Sequence, residues 1–85
     1  MSKHDKTLLR LSAKPTPADI KWDELTGLLM HLGYTLLNNK GSRRKFHNSA
    51  KDDLIICHEP HGSANVDKGC VNDVAEHLRE CNFIK

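Results

Sequence analysis

The apolar positions of the chain fall into two helical stripes separated by three short extended runs. Trp22, Leu25, Leu29 and Leu32 recur at steps of three and four, the spacing of one helix face, and predict a helix over about Trp22–Leu32. Asp23 and Glu24 stand in its first turn, where they complement the positive end of the helix dipole, and Gly33 follows as a C-terminal cap. Val71, Val74, Ala75, Leu78 and Cys81 make the second stripe, with Asp67 as N-cap of a helix running to about Cys81. Between the stripes, Tyr34–Leu37, Arg43–His47 and Leu54–His58 read as strands, joined by the turn formers Asn38-Asn39-Lys40-Gly41 and Asn48–Asp52. Connections this short imply an antiparallel meander. The third run is the most apolar, which predicts a central strand or one covered on both faces.

Helix, three strands, helix gives an α+β fold: a two-layer sandwich in which a three-stranded antiparallel sheet carries both helices on one face and leaves the other open. Residues 1–18 precede it as an N-terminal arm and connector. Met1–Lys6 is polar and expected to fray, Thr7–Leu11 suffices for a single helical turn, and Lys14-Pro15-Thr16-Pro17 favours an extended path. Residues 19–85 make one domain, with Phe83 and Ile84 folding back on its core.

Composition narrows the class. With 85 residues, 28% charged and 38% apolar, the chain suits one small folded domain and not a disordered one. A formal net charge of +2 does not by itself announce a nucleic-acid binder, but the charge is unevenly spread. The segment from Lys40 to Lys51 carries Lys40, Arg43, Arg44, Lys45, Lys51 and His47 and no acid. Alternation along a strand puts Ser42, Arg44 and Phe46 on one side and Arg43, Lys45 and His47 on the other. With Phe46 in the core, the second set forms a positive row on the open face, the arrangement a phosphate backbone favours. The plainer reading is an exposed strand kept soluble by charge. Three cysteines, Cys57, Cys70 and Cys81, are an odd number without paired spacing, which predicts small buried hydrophobes in a reducing cytosol. No apolar run approaches the ~20 residues of a membrane span, and Met1–Lys6 lacks the apolar core of a signal peptide. The expected location is cytoplasmic.

The run Asp19-Ile20-Lys21-Trp22-Asp23-Glu24 through Leu32-Gly33, then Gly41-Ser42-Arg43 with Phe46, His58-Glu59-Pro60-His61, and Asp67-Lys68-Gly69 with Val71 and Val74, resembles the HicA family. Order and spacing agree over residues 19–84, leaving the arm outside. The resemblance implies a fold like the double-stranded-RNA-binding domain and the role of toxin in a type II toxin–antitoxin pair. It further implies cleavage of RNA (mRNA) without a metal or other cofactor, and neutralisation by a cognate HicB-like antitoxin. It also implies a catalytic histidine two residues after the glycine of the Gly-Ser turn. Here the chain departs, since that position is Arg43.

Metal-free RNA cleavage needs a base for the 2′-hydroxyl proton, a cation at the phosphate and an acid for the leaving oxygen. Histidine suits the proton steps, and arginine suits the phosphate but stays protonated. The candidates are His61 or His58 as base, with Arg43 and Lys45 as phosphate-stabilising cations. Lys40, Ser42, Arg43, Arg44, Lys45, His47 and Lys68 are the candidate RNA contacts; Lys68 and Gly69 open the last helix, whose amides can receive an anion. The alternative is that His58 only ends a strand and His61 hydrogen-bonds within its loop. Cys57, His58 and His61 invite a metal reading, but neighbouring strand residues point to opposite faces, so no metal site is expected. The competing functions are a non-catalytic RNA-binding module of the same fold and a protein-interaction domain bound by an antitoxin-like partner.

Overall fold

The computed structural model describes residues 3–38, 43–60, 62 and 65–84. The expectations on Lys40, Ser42 and His61 lie outside the described residues. Within them the order is α1 (Lys3–Ser12), α2 (Trp22–His31), β1 (Thr35–Asn38), β2 (Arg43–Asn48), β3 (Asp53–His58) and α3 (Lys68–Glu80). The strands pair antiparallel in the order β1-β2-β3, so the α+β class and the meander stand as expected.

The middle strand is β2, and β3 is an edge. Its alternation explains the difference: Ile55 and Cys57 are buried towards the helices, whereas Leu54 and Ile56 are exposed on the open face. A continuous apolar run therefore serves two environments, and period alone cannot tell this from double coverage.

The start of the chain also differs from expectation. Instead of a frayed arm with one helical turn, Lys3–Ser12 is a ten-residue helix packed on α2 and α3. Thr7 and Leu11 are buried, Leu8 packs at the core's edge, and Arg10 reaches across to Glu24 at 3.0 Å and to Asp19. A helix this short is marginal alone, and its packing supplies what its sequence does not. A third helix is thus added to the helical layer, packed against α2 and α3.

Both long-range helices begin and end as their caps direct. Glu24 accepts from the Lys21 backbone N–H at 3.1 Å, closing the first turn of α2. At its other end Gly33 takes φ +101, with Gly33 N–H donating to Met30 O and Tyr34 N–H to Leu29 O. Asn82 (φ 66) plays the same part after α3, sending Phe83 back so that its N–H reaches Leu78 O. The core joins Leu25, Leu28 and Leu29 of α2 and Val71, Val74 and Leu78 of α3 to Phe46 and Ile55 of the sheet. Leu28 widens the stripe expected for α2, while Trp22 packs from the edge, its ring 5.8 Å from that of Phe46. Ile84 is buried and Phe83 packs beside Tyr34, so the end of the chain does fold back on the core.

The cysteines depart from the buried-hydrophobe expectation. Cys57 of β3 and Cys70 in the first turn of α3 form a disulfide, with Cα atoms 5.9 Å apart, leaving Cys81 free. Spacing along the chain gave no hint, because the partners meet only once α3 packs on β3.

Candidate functional site

The face of the sheet away from the helices is open, and its register orders what stands on it. Thr35, His47 and Leu54 form one rung, Leu37, Lys45 and Ile56 the next, and Arg43 lies opposite His58 in a third. Arg43, His47 and His58 are exposed and Lys45 is half-buried. Directly opposed residues on antiparallel strands hold their Cβ atoms about 4.5–5.5 Å apart. Arg43 and His58 are therefore side by side at one corner of the sheet, with Lys45 two residues along the same face. Among the described residues, Arg43, Lys45 and His47 make no salt bridge.

Arg44 stands apart from this row. It is half-buried on the helix side of β2, opposite Cys57 in the register, with Nε 3.4 Å from Glu59 Oε1 and Nη1 donating to Arg43 O at 3.0 Å. It braces the segment that follows β3 instead of joining the open row. Lys68 is exposed at the start of α3, the end tied to β3 by the disulfide. One amide there is engaged: the Asp67 carboxylate, the expected N-cap, accepts from Gly69 N–H at 2.9 Å.

Sequence reasoning missed the apolar part of this face. Leu37, Leu54 and Ile56 are 44%, 42% and 39% exposed, and they flank Lys45 on both sides. The signal was available in the parity of β3, since Leu54 and Ile56 share a face with His58. A small groove of about 510 Å³ opens beside them between β3 and α3, lined by His58, Cys57, Cys70, Asp67 and Asp73 among others. The described residues include no cluster of three or more His, Cys, Asp or Glu side chains able to hold a metal ion.

A second polar cluster sits at the far end of β3, on the helix side. Tyr34 Oη donates to Asp53 Oδ2 at 2.6 Å, and His77 Nδ1 lies 2.8 Å from Asp53 Oδ1. Burial alone would raise the Asp53 carboxyl, but the hydrogen bonds from Tyr34 and His77 and the His77 charge hold it below its usual value. Burial, with the bond to Asp53 behind it, pushes the Tyr34 hydroxyl well up. The cluster fastens α3 to the sheet and is remote in register from Arg43 and His58.

The sequence model of the HicA toxin of bacterial toxin–antitoxin systems matches residues 22–81, from the first residue of α2 to the cap of α3. The chain belongs to the HicA toxin family. Its role as a toxin of a toxin–antitoxin pair follows from that membership. Comparisons with curated proteins and with solved structures find no match. The matched region leaves α1 outside, so the packing of that helix is a feature of this chain beyond the family region. No helix among the described residues is long and apolar enough to cross a membrane.

Proposed function

We propose that this HicA-family toxin cleaves RNA on the open face of its sheet, with His58 as the proton-accepting group and Arg43 as the phosphate clamp. The observation that carries this reading is the pairing of Arg43 with His58 across β2 and β3, at the end of a row that continues through Lys45 and His47. Arg43 stands where the family's histidine is expected. A guanidinium cannot take a proton near neutral pH, but its planar fork fits two phosphate oxygens. A histidine next to it restores the missing base.

The reaction then runs as follows. RNA lays its phosphates along Arg43, Lys45 and His47, and the scissile phosphate sits on Arg43. The His58 imidazole takes the proton of the adjacent 2′-hydroxyl as that oxygen attacks phosphorus. The P–O5′ bond breaks, leaving a 2′,3′-cyclic phosphate, and the departing 5′-oxygen takes a proton from an acid or water. Arg43 and Lys45 stabilise the charge gathering on the phosphoryl oxygens. His61, three residues after His58 in the chain, is the second candidate for a proton step. No metal or other cofactor enters this scheme, and the work is expected in the cytoplasm, where mRNA is found.

The exposed Leu37, Leu54 and Ile56 favour a second occupant of the same face. A HicB-like antitoxin laying apolar side chains on these three and acidic ones on Arg43 and Lys45 would neutralise the toxin by covering its RNA site.

The deciding experiment is incubation of the purified protein with mixed-sequence RNA in EDTA. Cleavage that survives chelation, and falls by about 100-fold or more in His58→Ala, is the expected result. Full activity in both His58→Ala and His61→Ala would remove this catalytic assignment. Salt-sensitive retardation of intact RNA would leave a binding module.

A further inference from the structure

We propose that the Cys57–Cys70 disulfide is a thiol-exchange site and a redox latch on the corner that carries His58. Three observations support it. The bond joins the last buried residue of β3 to the first turn of α3, and His58 is the very next residue after Cys57. It closes the segment from 57 to 70 into a ring, so both ends of the stretch that follows β3 are fixed by one covalent link. The ring also opens on solvent: the groove of about 510 Å³ is lined by both cysteines together with His58. The two sulfurs differ in access. Cys57 is 2% exposed, whereas Cys70 is half-buried at the groove wall.

That asymmetry sets the order of exchange with a dithiol reductant. Its thiolate attacks the Cys70 sulfur, the Cys57–Cys70 bond breaks, and Cys57 leaves as a thiolate that takes up a proton. The reductant's second thiol then attacks its own sulfur in the mixed disulfide and releases Cys70. Two electrons and two protons pass to the protein, and the dithiol becomes a cyclic disulfide.

Among the described residues of the ring, two non-covalent ties stand out. The Val66 N–H donates to Ile20 O at 2.8 Å and Val66 is buried, and the Arg44–Glu59 pair braces the other end. The far end of β3 is held separately by Asp53, Tyr34 and His77. Reduction therefore loosens the His58 corner and leaves the opposite end of the sheet in place. The oxidised chain is the form with His58 held against Arg43. The consequence for RNA rests on the function proposed above, whereas the latch itself does not.

The test starts with a peptide map of the non-reduced protein, in which Cys57 is expected linked to Cys70; a link of either to Cys81 would overturn the proposal. Hydrogen exchange is then compared with and without dithiothreitol. The expected result is exchange about tenfold or more faster at the amides of Cys57, His58 and Val66, with Leu29 and Val74 unchanged. Equal exchange in both forms would overturn the latch. So would a global rise, which would make the bond a plain structural staple. The double variant C57S/C70S, checked for folding by circular dichroism, should match the reduced protein and ignore the reductant. RNA affinity is read in the same samples. An oxidised protein that binds RNA and loses about threefold or more on reduction supports the latch acting on the site. Unchanged affinity, with faster exchange at the corner, would overturn that regulation while the proposed function stands. If neither form touches RNA the proposed function fails, and the exchange data alone judge the latch.

Discussion

Asn48 is the polar residue that the core cannot do without. It is 2% exposed, at the end of β2, where its Nδ2 donates to Leu32 O and its Oδ1 accepts from Lys51 N–H. One side chain thus satisfies the end of α2 and the turn into β3. Asn48→Ala should cost about 1–3 kcal/mol, because the Leu32 carbonyl is left without this donor and the Lys51 amide without this acceptor. Denaturant unfolding measures it, and a loss within error would show that water replaces both bonds. Asp53 gives a pH dependence with a definite sign. Its folded value is depressed, so its contribution is complete above the unfolded value of about 4 and disappears as pH falls through the folded one. Tyr34 is raised, so its contribution holds below about pH 10, where an unfolded tyrosine ionises, and fades above it. Tyr34→Phe should remove the alkaline loss and move acid unfolding to higher pH, since Asp53 loses a donor. An acid midpoint unmoved in that variant would show that His77 alone sets the Asp53 value.

At the scale of elements, α1 is the part whose packing is easiest to put to the test. Leu11 is 3% exposed and sits in the main cluster with Leu28 and Ile84. Leu11→Ala should lower stability by about 2–4 kcal/mol, within the range for emptying a core leucine site. A loss below about 0.5 kcal/mol would show that α1 is only loosely attached. This helix also marks where the sequence stopped being legible. α2, α3 and the three strands announce themselves by period and by turn residues, because each segment's own spacing fits its environment. Lys3–Ser12 carries only a short stripe, Thr7, Leu8 and Leu11, enough by itself to suggest a single turn, and its full length packs against α2 and α3. The disulfide was hidden for a related reason: Cys57 and Cys70 meet through packing of α3 on β3, which no local pattern encodes. The basic row on β2 was readable from alternation once Phe46 was placed in the core. The opposition of Arg43 and His58 was not, because register depends on the turn between β2 and β3 and on where each strand begins.

For the whole molecule, the meaningful quantity is where unpaired charge lies, not its sum. The net charge is only +2, and on the helical side Arg10 pairs with Glu24 and Asp19, and His77 with Asp53. The open face keeps Arg43 and Lys45 outside any salt bridge of the described residues. RNA binding on this face should therefore weaken steeply with salt, each phosphate contact contributing about 0.7 to the slope of log K against log salt for a single strand. Replacing Arg43 and Lys45 together by Ala should lower that slope by about 1.4 and weaken all RNA sequences alike. Leu37→Ser with Ile56→Ser should leave the slope in place, because neither residue carries charge. The same pair should loosen an antitoxin that docks by apolar contact, which separates the two occupants of one face. If the Arg43/Lys45 variant keeps the full slope, the phosphates lie elsewhere. The α1 side, where Lys3, Lys6 and Arg10 line a groove of about 350 Å³ with Glu24, is then the next place to look.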